Sequence, residues 1–395
     1  MKHLKIIFRT ILLLSAALLT STEARANKDF RVEYFDSVEV SLLTCQPHDE
    51  VYSLYGHTAL RWHDMHARGG DIAFNWGVFN FEAPHFVTRF VFGLTDYELG
   101  GYPYPLFQQE YRRFGCMVTE QVLNLSSPEK LRLYKALEEN LQDGNRIYRY
   151  NYFYNNCTTK ARDIVENSID GRVEYAERED YNPSYRQMVH DMTEQSLWSR
   201  FGNDLLLGIK ADQKTTLREQ EFLPNNLMYD FDHAQIYANG TYRPLVKERR
   251  ISVPAGVQMV QEGFPLSPLS CSLILLFFGI VLTIIQIRTK RIFRLWTVIL
   301  MLVDGAIGMV LFLMLFSQHP TVSLNLQLIF FNPIHWVFLW PVLRDKPTRY
   351  WFIIPILALL FLIGGLFQHY AEGIYVLALC LLLQSTLHIS RMRRK

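Results

Sequence analysis

The chain has 395 residues, which is enough for two domains or more. Its 40 Lys and Arg residues nearly balance 38 Asp and Glu residues, and the net charge of +2 gives no reason to expect a nucleic-acid partner. The apolar residues gather at the two ends of the chain, which favours an exported membrane protein over a single soluble domain.

The N-terminus has the pattern of a secretory signal peptide. Lys2, Lys5 and Arg9 form a basic start, an apolar run follows, and "ARA" at 24–26 fits the small-x-small cleavage rule. The apolar run is short for a bilayer span, which disfavours the alternative of a membrane anchor. We therefore divide the chain into a signal peptide (1–26), an exported domain (27–262) and a membrane domain (263–395).

The exported domain is predicted to mix helices and strands. Alternating apolar residues predict strands at 30–44, 57–62, 71–79, 117–125 and 146–154. Helices are predicted at 127–141, 157–167 and 185–206, with Ser127 as the cap of the first and Pro128 in its first turn. Asn239-Gly240 predicts a hairpin turn.

Five segments of the C-terminal third carry almost no charge, and each is near the roughly 20 residues that a helix needs to cross a bilayer. Lys and Arg cluster in the first and third connections and in the tail, so the positive-inside rule places the C-terminus in the cytoplasm and the exported domain in the periplasm. The five segments are Leu269–Ile287, Leu295–Phe316, Leu324–Leu343, Trp351–Phe367 and Ile374–Ile389.

Three polar residues, Asp304, Asn332 and His335, lie inside these predicted spans. Ionisable groups at membrane depth are rare and indicate a functional site by default. The alternative is a structural pairing between helices, with Asp304 and His335 as the candidate pair.

Three of the five cysteines, Cys45, Cys116 and Cys157, face an oxidising compartment. An odd number leaves at least one thiol unpaired within the chain, and whether Cys45 and Cys116 form a disulfide stays open. Cys157 lies in "NYFYNNCTTKARD" (151–163), at the predicted start of a helix, where unpaired N–H groups and the helix dipole stabilise a thiolate. A buried structural cysteine or a disulfide half are the alternatives.

A cysteine nucleophile needs a base, usually a histidine that a third polar group orients. His57 follows a glycine at the start of a predicted strand in "YSLYGHTALRW", and Asn75 lies on the next strand in "FNWGVF". His63 is the rival third member. The sequence shows no metal-ligating or cofactor-binding motif, so we expect the site to use neither a metal nor a cofactor.

Three blocks in this order, "LLTCQPHDEVYSLYGHTALRW", "FNWGVFNF" and "YNYFYNNCTTKARD", resemble the Lnb N-terminal periplasmic domain family, which includes bacterial lipoprotein N-acyltransferases. The order of histidine before cysteine also resembles the circularly permuted branch of the papain-like NlpC/P60 superfamily. The resemblance implies an α+β permuted papain-like exported domain followed by five transmembrane helices. It also implies Cys157 as nucleophile, His57 as base and Asn75 as the orienting residue.

The resemblance further implies acyl transfer at the inner membrane. A phospholipid would donate an acyl chain to Cys157, and the amine of a diacylglyceryl lipoprotein would accept it, with the Cys157 and Thr158 N–H groups stabilising the oxyanion. Tyr55, Tyr154, Asn156 and Thr158 are expected to contact substrate. The aromatic run 148–154 either lines an acyl groove or simply alternates between core and surface.

Two other functions stay open on the sequence. One is a membrane-tethered cysteine peptidase or amidase that acts on peptides or peptidoglycan. The other is a non-catalytic periplasmic sensor or scaffold in which Cys157 is structural.

Overall fold

The computed structural model of the chain describes residues 34–50, 53–66, 70–79, 82–258 and 263–394. An α+β part extends to Val253, and a helical part begins at Pro268. The predicted signal peptide lies outside the described residues.

A seven-stranded antiparallel sheet forms the centre of the exported part, and the strands lie in the order β10-β5-β1-β2-β3-β4-β6. A second antiparallel sheet has the order β7-β8-β9. The strands are β1 (Val38–Cys45), β2 (His57–Asp64), β3 (Asp71–Val78), β4 (Asp96–Pro103), β5 (Val118–Leu123), β6 (Ile147–Arg149), β7 (Arg172–Glu174), β8 (Gln235–Ala238), β9 (Thr241–Pro244) and β10 (Val246–Val253).

Eight described helices accompany these strands. They are α1 (Phe86–Val91), α2 (Tyr104–Phe114), α3 (Ser127–Leu141), α4 (Cys157–Glu166), α5 (Tyr185–Met192), α6 (Leu197–Leu206), α7 (Leu217–Gln220) and α8 (Pro224–His233).

The large sheet is covered on both faces, because successive residues of a strand point to opposite sides. Leu42 on β1 belongs to a core that includes Leu133 of α3 and Val165 of α4. Its neighbour Leu43 belongs to a separate core with Phe107 of α2. This arrangement holds α4 against β2 and β3 and thereby fixes where the start of α4 meets the sheet.

Several predicted elements have different ends in the structure. Ser126, and not Ser127, caps α3, since its backbone N–H donates a hydrogen bond to the Glu129 carboxylate in a capping box. The predicted strand 146–154 is shorter, because only Ile147–Arg149 pairs with β4. The predicted helix 185–206 is two helices, α5 and α6, separated by a turn around Thr193.

Three described helices of the C-terminal part are long and apolar enough to cross a membrane: α9 (Pro268–Thr289), α10 (Arg294–Met314) and α14 (Ile374–Arg394). The fourth predicted span contains a shorter apolar helix, α13 (Tyr350–Gly364).

The third predicted span is not one helix. It consists of a 3-10 turn (Leu326–Ile329) and the short helices α11 (Ile334–Val337) and α12 (Leu339–Leu343). Asn332 and Pro333 separate the first two pieces, and the Asn332 side chain accepts a hydrogen bond from the Ile334 N–H. A proline has no N–H to continue the helical ladder, which explains the interruption.

The exported part contacts the membrane part through backbone hydrogen bonds. The N–H groups of Gly208 and Ile209 donate to the carbonyls of Thr321 (2.8 Å) and Leu324 (2.9 Å). A Cβ at Gly208 would lie 2.3 Å from the Leu324 carbonyl oxygen, so only glycine permits this approach. The segment after α6 therefore lies directly on the loop that follows α10.

Candidate active site

Cys157 is the first residue of α4, and its helix start is built by the residue before it. The Asn156 side-chain oxygen accepts hydrogen bonds from the N–H groups of Thr158 and Thr159, both at 3.0 Å. The Asn156 amide donates to the Phe222 carbonyl at 2.9 Å. This cap fixes the first turn of α4, at whose start Cys157 lies with a partly exposed side chain.

His57 and Asn75 lie on the neighbouring strands β2 and β3, as their positions in the sequence suggested. His57 Nε2 is 2.7 Å from Asn75 Oδ1. Because an amide oxygen only accepts hydrogen bonds, Nε2 carries the proton of the neutral imidazole and Nδ1 is left for a thiol. The rival His63 lies six residues further along β2, and its Nδ1 is 3.9 Å from Glu39 instead.

Two glycines leave the space that the His57 imidazole and its strand occupy. A Cβ at Gly77 would lie 2.9 Å from His57 Cε1 and 3.0 Å from Asn75 Oδ1. Gly56, directly before His57, has φ +74°, and a Cβ there would lie 2.7 Å from the Cys45 carbonyl oxygen. Both glycines are therefore needed to let the chain pack around the histidine.

The thiol and the imidazole form a coupled pair. Burial raises the pKa of Cys157, but the charge and hydrogen bond of His57 and the Thr58 N–H outweigh burial, so the Cys157 pKa is lowered to about 7. Burial lowers the pKa of His57, but the Cys157 charge and the hydrogen bonds of Cys157 and Asn75 raise it overall. The pair therefore favours a thiolate beside an imidazolium, which is the reactive form of a cysteine nucleophile.

Two threonine hydroxyls join the strand that carries His57 to the helix that begins at Cys157. Thr58 Oγ1 and Thr158 Oγ1 are 3.1 Å apart, and both side chains are fully buried. Thr158 Oγ1 is also 3.8 Å from Cys157 Sγ. The pair fixes the position of β2 relative to the first turn of α4.

Cys157, His57 and Asn75 open into a cavity of about 830 Å³. This volume is within the range of roughly 300–1,000 Å³ that is typical of small-molecule sites. Most of the lining is aromatic or aliphatic, and four lining residues come from the membrane part. The lining includes Trp76, Phe79, Phe86, Phe90, Tyr97, Tyr150, Tyr152, Phe153, Leu206 and Phe222, and from the membrane part Met314, His319, Thr321 and Val322.

Of the four residues that the sequence suggested as substrate contacts, three line the cavity: Tyr55, Asn156 and Thr158. The Tyr55 hydroxyl accepts a hydrogen bond from Asn203 at 2.9 Å. Tyr154 is not among the lining residues and packs with Phe153 and Tyr185 in an aromatic cluster, so its contact with substrate stays a prediction. Its neighbours Tyr150 and Tyr152 do line the cavity, which favours the groove interpretation of the aromatic run.

Of the two backbone N–H groups expected to stabilise the oxyanion, the one of Thr158 already has an acceptor. The Thr158 N–H donates to the Asn156 cap, so it is already engaged. The Cys157 N–H is at the first helical position, where no intrahelical acceptor exists, and it stays a candidate donor.

The other two exported cysteines are buried and unpaired, so the structure contains no disulfide between Cys45 and Cys116. Burial raises the pKa of both thiols, which makes them poor nucleophiles. Among the cysteines of the exported part, Cys157 is therefore the reactive candidate.

The three polar residues of the membrane part have separate hydrogen-bonding environments, and a shared site stays a prediction. His335 bonds to the Tyr350 hydroxyl (2.7 Å) and to the Phe330 carbonyl (2.8 Å), so both ring nitrogens are engaged and the pairing with Asp304 does not occur. Asp304 is buried, and its Oδ2 has no hydrogen-bond partner among the described residues. The Asn332 side chain forms hydrogen bonds with backbone groups on both sides of the helix interruption.

Sequence reasoning missed two features of the site. Gly77 was not singled out, because its contact with His57 depends on the pairing of β2 with β3. Glu110 on α2 is the single carboxylate among the described lining residues, and its charge helps to raise the pKa of His57. Only the tertiary packing of α2 brings it to the cavity.

Two family models match the chain. The model of the Lnb N-terminal periplasmic domain matches residues 30–191, and that of the Lnb transmembrane domain matches residues 259–395. No significant match was found among curated proteins or among solved structures. The two models fit the two parts of the fold in order, so the chain belongs to the Lnb family, as a membrane-anchored protein with a periplasmic N-terminal domain.

Proposed function

We propose that the protein is a cysteine acyltransferase that moves an acyl chain from a phospholipid to the N-terminal amine of a diacylglyceryl lipoprotein. The observation that carries the proposal is the position of Cys157 and His57 in an apolar cavity that the membrane part helps to line. An apolar cavity suits an acyl chain, and the nearby membrane part suits a lipid donor.

In the first step, the Cys157 thiolate attacks the carbonyl carbon of the phospholipid ester. The Cys157 N–H is positioned to stabilise the oxyanion. The carbon–oxygen bond then breaks, the lysophospholipid oxygen takes a proton from the His57 imidazolium, and a thioester remains on Sγ.

In the second step, the lipoprotein α-amine attacks the thioester and gives a proton to His57 Nδ1. The carbon–sulfur bond breaks, and the thiolate is restored beside the imidazolium. Asn75 holds the imidazole in one orientation throughout, because it keeps Nε2 hydrogen-bonded.

The order His57 before Cys157, with a helix that starts at the cysteine and packs on an antiparallel sheet, supports a permuted papain-like classification. We further place the protein in the inner membrane with five membrane crossings and a cytoplasmic C-terminus. The basic connections and tail support this topology.

The test is the mass of mature lipoproteins in a strain with no other N-acyltransferase. We expect the N-terminal acyl chain to disappear in Cys157→Ala and His57→Ala, and to persist in the control Cys271→Ala. Lipoproteins that stay fully N-acylated in both site variants would refute the proposal. Altered peptidoglycan fragments would favour the amidase instead, and a folding defect alone would favour the scaffold.

A further inference from the structure

Three potential metal ligands meet on the outside of the α5–α6 pair, where the exported part contacts the membrane part. His190 lies on α5, Asp204 on α6, and His369 in the connection before α14. One ligand atom from each residue lies within 4.8 Å of the others. The convergence is a product of the fold, because Asp204 and His369 lie far apart in the sequence.

The carboxylate of this group is held rigidly by an arginine. Asp204 is buried, and its Oδ1 accepts a hydrogen bond from Arg186 Nη1 at 2.8 Å. Arg186 also contacts Asp212 at 2.8 Å, so two carboxylates share one guanidinium. Hydrogen bonds that orient a ligating carboxylate are a regular feature of metal sites.

Both Asp204 oxygens lie close to His190 Nε2, at 2.9 Å for Oδ1 and 2.8 Å for Oδ2. The rings of His190 and His369 are edge-to-face at 5.5 Å. His190 is partly exposed and His369 is exposed, so an ion can enter from solvent. Arg200 Nη2 donates to the His190 carbonyl at 2.9 Å, so the charges of Arg186 and Arg200 offset those of the two carboxylates.

We propose that His190, Asp204 and His369 bind one divalent transition-metal ion, with zinc as the best fit. Two imidazoles and one carboxylate are borderline donors that zinc accepts, at bond lengths of about 2.0–2.2 Å, with water in the fourth position. The alternative explanation of the same geometry is a simple ion pair between His190 and Asp204, in which His369 has no role.

The ion would tie the two parts of the protein together. The His369 N–H donates to Asp212 Oδ2 at 3.3 Å, and Gln368 donates to the Leu207 carbonyl at 3.1 Å. The His369 connection therefore already lies against α6 and the segment that follows it. A bound metal adds a bond between the same two surfaces, and its site is distinct from the cavity that contains Cys157.

The experiment compares metal binding by the full-length chain and three variants in detergent. His369→Ala removes an exposed ligand, His369→Cys supplies another zinc ligand, and His66→Ala is an exposed histidine outside the cluster. Each protein is stripped with chelator, dialysed against micromolar zinc and assayed for bound metal by mass spectrometry. Zinc affinity is then measured by competition with a chromogenic chelator.

We expect about one zinc ion per chain for the unmodified protein and for His66→Ala. His369→Ala should bind zinc at least about tenfold more weakly, since even groups that only orient ligands cost 10–100-fold when removed. His369→Cys should recover most of the affinity, and zinc should raise Tm only in the proteins that bind it. Equal zinc retention by His369→Ala and the unmodified chain, or no retention by either, would overturn the proposal in favour of the ion pair.

Discussion

The reactivity of Cys157 is set by its immediate neighbours. Burial alone would keep the thiol protonated, as it does for Cys45 and Cys116. His57 reverses that effect for Cys157 through its charge and hydrogen bond. The thiol pKa is therefore raised at two cysteines of the domain and lowered at the third.

The lowered pKa predicts the pH dependence of thiol alkylation. The thiolate of Cys157 should be present above pH 7 and lost as the pH falls through about 7. In His57→Ala burial remains without the compensating charge, so the midpoint should move above the ordinary thiol value of about 8.5. Iodoacetamide labelling rates at graded pH, with Cys157→Ala as the background, measure both midpoints. Identical midpoints in the two proteins would show that His57 does not activate the thiol.

Gly77 should matter for turnover although it has no side chain. The Cβ of Gly77→Ala would lie within 3.0 Å of both His57 and Asn75, so the imidazole must shift. Misplacing a catalytic group by about 1 Å can cost around 10²-fold in rate, and we expect a loss of this order in kcat with little change in KM. Gly144→Ala, which has open space around its Cβ, is the control and should retain full activity. A Gly77→Ala enzyme with normal kcat would contradict the packing of the imidazole.

At the scale of elements, the local signals for α4 and β2 could be read directly from the sequence. Asn and Thr residues around Cys157 cap a helix, and Gly56-His57 opens a strand, so both were expected where they are found. The choice between Asn75 and His63 could not be made, because it depends on how far each residue lies along the paired strands. The strand prediction for 146–154 was too long, because the aromatic side chains of that run pack in the cavity wall and in a neighbouring cluster.

Helix α4 is anchored by a buried ion pair whose loss should be costly. Arg162 Nη1 is 2.8 Å from Glu221 Oε2, and Glu221 is fully buried. Where the carboxyl is charged, Arg162→Met would leave it without its partner, at a cost of about 3–5 kcal/mol. Arg218→Met, which removes a half-exposed arginine on the same surface, should cost about 1 kcal/mol or less.

Thermal unfolding of the full chain at two pH values checks this prediction. Burial raises the pKa of Glu221 to about 7 even with Arg162 present, and removing Arg162 should raise it further. The carboxyl is protonated at pH 5 with or without Arg162, so the loss of stability caused by Arg162→Met should appear as the pH rises above about 7, where only the unmodified protein supplies a partner for the charge. Equal Tm values for Arg162→Met and Arg218→Met at both pH values would contradict the assigned role of the pair.

At the scale of the whole molecule, the sequence indicated two parts but not how they meet. Hydropathy indicates the apolar segments, yet the third predicted span is not one helix. It is interrupted at Asn332-Pro333 and again between α11 and α12, because the hydropathy of a window of about 20 residues does not reveal where a helix breaks. The pairing of Asp304 with His335 failed for a related reason, because the break turns His335 toward Tyr350 and Phe330.

The contact between the two parts completes the lining of the cavity. Met314 and Val322 of the membrane part and Phe90 of α1 complete a wall that begins at Cys157. No sequence pattern predicts such a shared surface, since it depends on the close approach at Gly208 and on polar contacts such as Gln327 to the Asp204 carbonyl at 3.0 Å. Cys157 therefore faces a cavity to which the membrane-embedded part contributes directly.

The central claim is that Cys157 carries the acyl chain during transfer. The most direct measurement is intact-protein mass spectrometry of the full-length chain after incubation with phospholipid and no acceptor. We expect a mass gain equal to one acyl chain that maps to the peptide containing Cys157, is released by hydroxylamine and disappears when an acceptor amine is added. An adduct on another residue, or acyl transfer that continues in Cys157→Ala, would contradict it.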